Sequence, residues 1–307
     1  MNTGAAIDDS EARSQNPQHE DRASPDMNRD AEHAERRDWS DLGWRVLSSV
    51  VLIPLGLGAA WAGGPWLAGA CAAASVAMAY EWARMSEPKA TMAAFLFALA
   101  GAFGAIMLAS WRSWELASAW LVLCALASAV RRRSLSGVLE TAGGLLYVGS
   151  PTAVFLWLRM RAPEGLETVL TLFLVIWSAD VAAYFGGKII GGPKIASGLS
   201  PNKTWSGVAA GAFAGGVAGA ICAFLFASKL YLAWVGIGVV LAFTGLMGDL
   251  LESLLKRRFG VKDASRLIPG HGGVLDRIDG LMASTLLSGA VLALWPTLSH
   301  AVIGGAP

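Results

Sequence analysis

Long apolar segments separated by short polar stretches constrain this chain more than any other feature. A helix that crosses a lipid bilayer needs about 20 mostly apolar residues, and nine segments of this kind follow one another. With 54% hydrophobic and 15% charged residues, the chain is too apolar for an ordinary water-soluble domain. We therefore predict an all-α fold, a polytopic transmembrane helical bundle of about nine spans. The predicted spans lie near residues 44–63, 65–82, 92–110, 114–130, 137–158, 167–187, 207–227, 231–251 and 280–298.

The first 40 residues have a different composition from the rest of the chain. They carry ten Asp or Glu and five Lys or Arg, with no apolar run. Such a segment buries too little apolar surface to offset its chain entropy, and it lacks the apolar core of a signal peptide. We predict three regions: a disordered cytoplasmic N-terminal tail at 1–40, N-terminal transmembrane helices at 41–165, and a transmembrane region at 166–300 whose acidic and basic clusters make it the candidate catalytic region.

The distribution of Lys and Arg between the spans predicts the orientation of the bundle. Loops on the cytoplasmic side of membrane proteins are enriched in these residues. With a cytoplasmic N-terminus, nine spans leave few cations outside and place the clusters at 131–133 and 256–277 inside. The outside loops then carry Arg112, Arg159, Arg161 and Lys229.

Acidic residues of the apolar region gather toward its C-terminal part. Thirteen acids follow residue 40, and six of them fall in three patches at the cytoplasmic ends of predicted spans, where we expect the chemistry. They are Asp180, Asp249, Glu252, Asp263, Asp276 and Asp279.

The first patch is SADVAAYFGGKIIGGPK, residues 178–194. Asp180 lies inside an apolar run, with Tyr184 and Lys188 on the same helical face. An ionisable residue within a span indicates a functional site, because it is costly to leave in lipid. The alternative is a packing carboxylate paired with Lys188. The glycines from Gly186 onward are expected to open a loop.

The second patch is SGLSPNKTWSG, residues 197–207. Ser200 followed by Pro201 is typical of a helix N-cap and first turn, which predicts a span that begins there with Lys203 in its opening turn. Helix N-termini with a nearby cation bind phosphate. The alternative is an ordinary capped helix with a Lys directed toward the membrane surface.

The third patch joins GDLLESLLKRR, residues 248–258, to a glycine-rich basic loop. Asp249, Glu252 and Lys256 share one helical stripe, and Asp276 and Asp279 are three residues apart at the start of the last span. Clusters of carboxylates alone suit Mg²⁺, which proteins share with phosphates, while Lys and Arg stabilise negative charge. The sequence predicts a phosphate-transferring membrane enzyme.

The run SLLKRRFGVKDASRLIPGHGGVLDRID, residues 253–279, resembles the signature of the phosphatidate cytidylyltransferase family. SPNKTWSG at 200–207 and DVAAYFGGK at 180–188 are similar to other blocks of that family, so the resemblance extends over about residues 40–300. The sequence departs from the family at Ser206, where a larger polar residue such as Glu or Gln is expected. No role is assigned to Ser206.

The resemblance implies that CTP and phosphatidate give CDP-diacylglycerol and pyrophosphate, with Mg²⁺, at the cytoplasmic face of a bacterial inner membrane. Asp249 and Asp276 are the first candidate metal ligands, followed by Asp279 and by Asp263 as a ligand or a partner of ligands. For His271 a contact with substrate and a loop-fixing hydrogen bond both stay open. The cations expected to neutralise phosphate are Lys203, Lys256, Arg257, Lys262 and Arg277, and the expected substrate-binding groups are Ser200, Asn202, Lys203, Thr204, His271, Gly272 and Gly273.

Other functions share parts of this pattern. A CTP-dependent polyprenol or lipid kinase would use the same membrane, metal and nucleotide, but would release CDP instead of pyrophosphate. A secondary transporter would carry its acids near the membrane midplane in paired halves, which this sequence does not show.

The expected partners are CTP, phosphatidate and the bilayer, without nucleic acid, and small-residue helix faces are compatible with a homodimer. The three cysteines, Cys71, Cys124 and Cys222, are predicted to pack in the core.

Overall fold

The computed structural model describes residues 48–111, 113–131, 134–160, 164–265, 267–268 and 272–294. The acidic tail and His271 lie outside these residues. Within them the regular structure is α-helical apart from two short strands, which confirms the all-α prediction. The helices are α1 Ser48–Ala62, α2 Gly64–Ser86, α3 Thr91–Ser110, α4 Trp114–Arg131, α5 Leu135–Met160, α6 Gly165–Ile189, α7 Trp205–Leu225, α8 Tyr231–Arg258 and α9 Leu275–Leu294, and the strands are β1 Lys194–Ala196 and β2 Ser200–Thr204.

Six of these helices are long and apolar enough to cross a membrane: α3 and α5 to α9. α1 and the first part of α4 are shorter apolar helices. Large apolar side chains project outward, including Leu232, Phe213 and Trp66, which are 88%, 76% and 74% exposed. Apolar patches of this extent are rare on proteins surrounded by water. The helices therefore indicate a membrane protein.

Glycine and alanine let α7 pack against both of its neighbours at backbone distance. A Cβ atom added to Gly238 on α8 would lie 2.0 Å from the carbonyl oxygen of Gly215 on α7. On the other side, a Cβ on Gly207 would lie 2.8 Å from the carbonyl oxygen of Ala183 on α6. The small-residue faces of α7 therefore make close helix contacts within the chain.

The N-terminal helices pack in another way, with large side chains seated over glycines. Trp82 of α2 lies over Gly144 of α5, and Trp120 of α4 lies over Gly104 of α3. The Trp82 indole donates a hydrogen bond to the carbonyl oxygen of Glu140 at 3.1 Å. All three cysteines are free, as expected, and two of them are buried.

A short antiparallel hairpin connects α6 to α7. Lys194 of β1 pairs with Thr204 of β2, and Ala196 pairs with Ser200, with an irregular register between them. The hairpin places Ser200, Asn202, Lys203 and Thr204 before α7 and not inside its first turn.

The predicted start of α7 at Ser200 is therefore wrong. Ser200 and Pro201 belong to a strand, and Lys203 precedes the helix. Thr204 is the true N-cap, and its side-chain oxygen accepts a hydrogen bond from the amide of Gly207 at 3.2 Å. Proline is tolerated near the start of an edge strand as well as in a first helical turn. Here the pairing with β1 decides between the two.

The C-terminal end of α6 also differs from the expectation. Gly186 and Gly187 lie within the helix, where a Cβ on Gly186 would come 2.4 Å from the Cβ of Ala210 on α7. These glycines serve helix packing. The loop begins at Gly191 and Gly192, whose φ angles of 68° and 108° favour glycine.

Candidate active site

A cavity of about 750 Å³ lies between α6, the hairpin, α7, α8 and the start of α9. All three charged patches of the sequence contribute to its wall. The acidic residues that line it are Asp180, Asp249, Glu252, Asp263, Asp276 and Asp279, and the cationic residues are Lys188, Lys194, Lys203, Lys256 and Arg277.

The same cavity has an apolar wall farther along the helices. Val208 and Ala212 of α7 and Phe243 and Leu246 of α8 line it together with the charged residues. Residues 208 and 212 follow the first turn of α7, and residues 243 and 246 precede the acidic end of α8. The apolar wall therefore lies deeper in the helix bundle than the charged one.

The hairpin and α8 are joined by an ion pair. The ammonium group of Lys203 on β2 contacts a carboxylate oxygen of Asp249 on α8. The Lys203 side chain is only 17% exposed, whereas that of Asp249 is 43% exposed. A cation is thus held inside the cavity by one of its carboxylates.

Three carboxylates from two helices converge at one side of the cavity. Asp249 and Glu252 are three residues apart on α8 and so share a face. Together with Asp279 of α9, each offers a carboxylate oxygen within 4.8 Å of the others. We call Asp249, Glu252 and Asp279 the carboxylate cluster.

Glycines explain how α9 comes close enough to complete the carboxylate cluster. A Cβ added to Gly248 would lie 2.5 Å from the carbonyl oxygen of Asp279. A Cβ on Gly280 would lie 3.2 Å from the carbonyl oxygen of Gly245. The backbones of α8 and α9 are in contact at the level of the cluster, so short acidic side chains from both helices can meet.

The carboxylate cluster could hold a metal ion. Glu252 is 2% exposed, Asp279 is 9% exposed, and Oε1 of Glu252 has no hydrogen-bond partner among the described residues. Buried negative charges at this separation repel one another unless a cation lies between them. Mg²⁺ prefers carboxylate oxygens, so the cluster and its unpartnered oxygen fit that ion.

Asp276 lies beside Glu252 at the edge of the carboxylate cluster, and Lys256 contacts both carboxylates. The Lys256 ammonium donates to Oδ1 of Asp276 at 2.6 Å and lies 3.4 Å from Oε2 of Glu252. The second oxygen of Asp276 accepts a hydrogen bond from the amide of Gly273 at 3.0 Å. The structure therefore places Glu252, and not Asp276, beside Asp249 and Asp279.

The structure brings ten of the predicted site residues to the cavity. Arg257 and Lys262 are exposed and are not among its lining residues, and neither are Gly272 and Gly273. The ten that line it are Ser200, Asn202, Lys203, Thr204, Asp249, Lys256, Asp263, Asp276, Arg277 and Asp279.

The first patch contributes Asp180, which lines the cavity from α6. Lys188 donates a hydrogen bond to the Tyr184 hydroxyl at 3.5 Å and lies 5.6 Å from the centre of its ring. No ion pair joins Asp180 to Lys188, although the structure describes both. The packing alternative for Asp180 therefore loses its proposed partner.

Two acids were not selected as site residues from the sequence. Glu252 had a usable signal, since it follows Asp249 by three residues on the same stripe. Glu81 lies in an apolar segment of α2, where a buried acid by itself indicates a function, and it is completely buried.

Comparison with known proteins agrees with the geometry. The sequence model of the cytidylyltransferase family matches residues 43–295, which include every residue of the cavity wall. The chain belongs to this family.

Individual relatives carry a more specific name. A phosphatidate cytidylyltransferase of Brucella suis biovar 1 is 40% identical over 250 residues, covering 81% of this chain and 92% of the relative. One from Pseudomonas aeruginosa is 34% identical over 269 residues, covering 81% of this chain and 96% of the relative. One from Rickettsia conorii is 35% identical over 153 residues, covering 47% and 65%.

Proposed function

We propose that this chain is a phosphatidate cytidylyltransferase, which transfers CMP from CTP to phosphatidate and forms CDP-diacylglycerol and pyrophosphate. Its similarity to relatives of that name over most of their length supports the assignment. The observation that carries it is the cavity, in which a carboxylate cluster, ordered cations and an apolar wall meet.

The reaction needs little acid–base chemistry. A phosphate oxygen of phosphatidate, already anionic at neutral pH, attacks the α-phosphorus of CTP. The new P–O bond forms while the bond to the β-phosphate oxygen breaks, and pyrophosphate leaves with that oxygen. The main obstacle is the repulsion between two anions, which fixed positive charges reduce.

Lys203, Lys256 and Arg277 are placed to supply these charges. Lys203 is held by Asp249 and Lys256 by Asp276, so both ammonium groups are fixed inside the cavity. Arg277 lines the same cavity from the first turn of α9. We assign these three cations to the phosphates of the two substrates.

Asp249, Glu252 and Asp279 would hold Mg²⁺. When bound, this ion withdraws charge from phosphate oxygens and helps to align the nucleotide. Asp276 orients Lys256 in this scheme. The polar side chains of Ser200 and Asn202 face the cavity and can donate to the nucleotide, whereas Thr204 already caps α7.

We also propose that the charged end of the cavity faces the cytoplasm of a bacterial cell, with nine spans in its inner membrane and the N-terminus inside. The Lys and Arg distribution supports this orientation. Reporter fusions after residue 133 and after Lys262 should both report cytoplasm, and one after residue 161 should report the exterior. Opposite sides for the first two would contradict the nine-span arrangement.

The test of the function is product analysis with purified protein in detergent, CTP, phosphatidate and Mg²⁺. CDP-diacylglycerol and pyrophosphate should appear in equal amounts. Release of CDP with a phosphorylated lipid would instead identify a CTP-dependent lipid kinase.

A further inference from the structure

Glu81 is a buried carboxylate that connects α2 to the loop before α9. It is 0% exposed and does not belong to the residues that line the cavity. Its Oε1 accepts hydrogen bonds from the Ser265 hydroxyl and from the Val274 amide, the latter at 2.8 Å, and its Oε2 accepts one from the Leu275 amide at 2.8 Å. All three donors lie more than 180 positions away in the sequence.

These bonds supply the cap of α9. The first amides of any helix lack partners within the helix, and a nearby side chain usually accepts from them. Here the Val274 and Leu275 amides are satisfied by Glu81 from another helix. A carboxylate at this end is also favoured by the helix dipole.

The residues that follow this cap carry the acidic groups of the site. Asp276 and Asp279 lie in the first two turns of α9. Gly273 lies between the carboxylates of Glu81 and Asp276, since a Cβ added to it would lie 2.9 Å from Oε1 of Glu81 and 3.0 Å from Oδ2 of Asp276. A shift of the loop against Glu81 would therefore move Asp276 directly.

The neighbour of Glu81 supports the other end of the same loop. The ring of Trp82 packs edge-on against Phe259, with centroids 5.5 Å apart. Phe259 directly follows α8, and Leu275 begins α9. Two consecutive residues of α2 thus contact both ends of the segment that joins α8 to α9.

We propose that Glu81 is a positioning residue, which holds Ser265 and the segment 272–275 at the start of α9 so that Asp276 and Asp279 face the cavity. This inference deepens the proposed function and rests on it for the activity measurement alone. Its structural part concerns the amides that Glu81 holds.

The charge and the two oxygens of Glu81 both matter for this role. A glutamine has the same size but only one acceptor oxygen, and its NH₂ group would face an amide donor. At least one buried donor would then lose its partner, which is more costly than losing a hydrogen bond exposed to water. Glu81→Gln should therefore release the loop without opening a void.

The experiment compares Glu81→Gln with Glu87→Gln and the unaltered protein by hydrogen–deuterium exchange. Glu87 is a matched control, since it is a buried acid at the end of the same helix whose Oε1 accepts from the Thr141 hydroxyl at 2.6 Å. In Glu81→Gln, peptides covering 261–279 should exchange about tenfold faster than in either other protein. Peptides from α2 and α5 should be unchanged.

The activity measurement uses the same three proteins. Glu81→Gln should lower kcat about tenfold and change the KM for CTP less than about threefold, because misplaced groups act mainly in the transition state. The midpoint of thermal unfolding should stay within about 5 °C of the unaltered protein. If the unaltered protein makes no CDP-diacylglycerol, the proposed function is refuted. The exchange measurement would still decide the role of Glu81.

Two exchange results would overturn the proposal. One is unchanged exchange at 261–279 in Glu81→Gln, and the other is an equal increase throughout α2 and α5, which would show a general loss of stability. If Glu81→Gln does not fold, Ser265→Ala provides the test, because it removes the hydroxyl that donates to Glu81 and accepts from the Leu267 amide, and keeps both backbone bonds to Glu81. It should accelerate exchange two- to threefold within 261–279, and no local change would refute the proposal.

Discussion

Glycine serves opposite purposes in the two parts of this helix bundle. In α3 and α5 it makes room for a large side chain, as Gly104 does for Trp120 and Gly144 does for Trp82. Between α7, α8 and α9 it lets one backbone touch another, as Gly248 does at Asp279. Backbone contact shortens the distance between helices, and short side chains such as Asp can then converge from two of them.

The difference explains why the charged cavity lies among α6 to α9. A side chain seated over a glycine can turn about its own bonds when the glycine is replaced, which costs packing and its hydrogen bond but leaves the backbone in place. A carbonyl oxygen in a helix cannot move without shifting the helix itself. We therefore expect substitutions at the two kinds of glycine to affect different properties, stability in the first group and catalysis in the second.

The largest effect should follow from the carboxylate cluster itself. Asp249→Asn and Asp279→Asn should each lower turnover about a hundredfold or more, a loss of about 3 kcal/mol of transition-state stabilisation, because each removes charge that holds Mg²⁺. The double variant should be hardly worse than either single variant if both residues act on one ion. CDP-diacylglycerol formation at varied Mg²⁺ concentration measures this.

Glu115→Gln, at the start of α4, is the control for these variants and should retain full activity. Removal of divalent ions with a chelator should abolish turnover in the unaltered protein, and Mg²⁺ should restore it. Strictly multiplicative losses in the double variant would argue against one shared ion.

The next largest loss of kcat should follow from replacing Gly248, the glycine that sets the distance between α8 and α9. Gly248→Ala should lower kcat by about 30-fold, because the added methyl group displaces the backbone of Asp279 and a misplacement of about 1 Å can cost up to a hundredfold. Gly236→Ala on the same helix is the control, since nothing lies within 4 Å of its added Cβ. Equal kcat values for Gly248→Ala and Gly236→Ala would contradict the claim that backbone contact between α8 and α9 is needed for catalysis.

A smaller loss of kcat is expected at Asp276, which pairs with Lys256 at the edge of the carboxylate cluster. Asp276→Asn should lower kcat about tenfold and leave the Mg²⁺ concentration for half-maximal activity unchanged, because it weakens the hold on a cation of the cavity and not on the metal. A titration with Mg²⁺ decides this. A loss of Mg²⁺ affinity as large as in Asp249→Asn would show that Asp276 is itself a metal ligand, as the sequence predicts.

The smallest effect on catalysis should appear in the N-terminal helices. Gly104→Ala would place a Cβ 2.2 Å from the Trp120 indole nitrogen, so the ring must move and its hydrogen bond to the Ala100 carbonyl, at 3.3 Å, is lost. The midpoint of thermal unfolding should fall by about 3–6 °C. The kcat per folded molecule should stay within about twofold.

Gly69→Ala, whose added Cβ meets nothing within 4 Å, is the control for stability and should leave the unfolding midpoint unchanged. A large loss of kcat in Gly104→Ala would show that packing in the N-terminal helices is coupled to the site as tightly as packing in the C-terminal ones.

Much of this architecture could be predicted from the sequence because apolar runs and helix-end charges are local signals. The nine predicted apolar stretches overlap α1 to α9, of which six are long and apolar enough to cross a membrane. The acids of α8 and α9 are predicted to lie together because both helix ends flank one loop. The start of α7 was wrong because Ser200 and Pro201 suit an edge strand and a helix start equally well. Only the pairing with β1 separates these two structures, and it is a tertiary contact.

The contribution of Glu81 was missed for a related reason. Its partners are in a different part of the sequence, and no periodicity connects α2 to the start of α9. The spacing places Glu252 on the same stripe as Asp249, but it does not show which acids of the two helices approach one another, and the structure brings Asp249, Glu252 and Asp279 together.

The apolar wall of the cavity, formed by Val208, Ala212, Phe243 and Leu246 below the charged residues, has a consequence for the energetics of the proposed substrate. Removing a lipid chain from a bilayer costs about 0.8 kcal/mol for each methylene group, more than 10 kcal/mol for an ordinary acyl chain. With an apolar wall next to the charged one, the phosphate of the lipid can enter the cavity while its acyl chains stay in apolar surroundings. The enzyme would then work in two dimensions, with lipid substrate and product diffusing in the plane of the membrane and only the nucleotide and pyrophosphate exchanging with water.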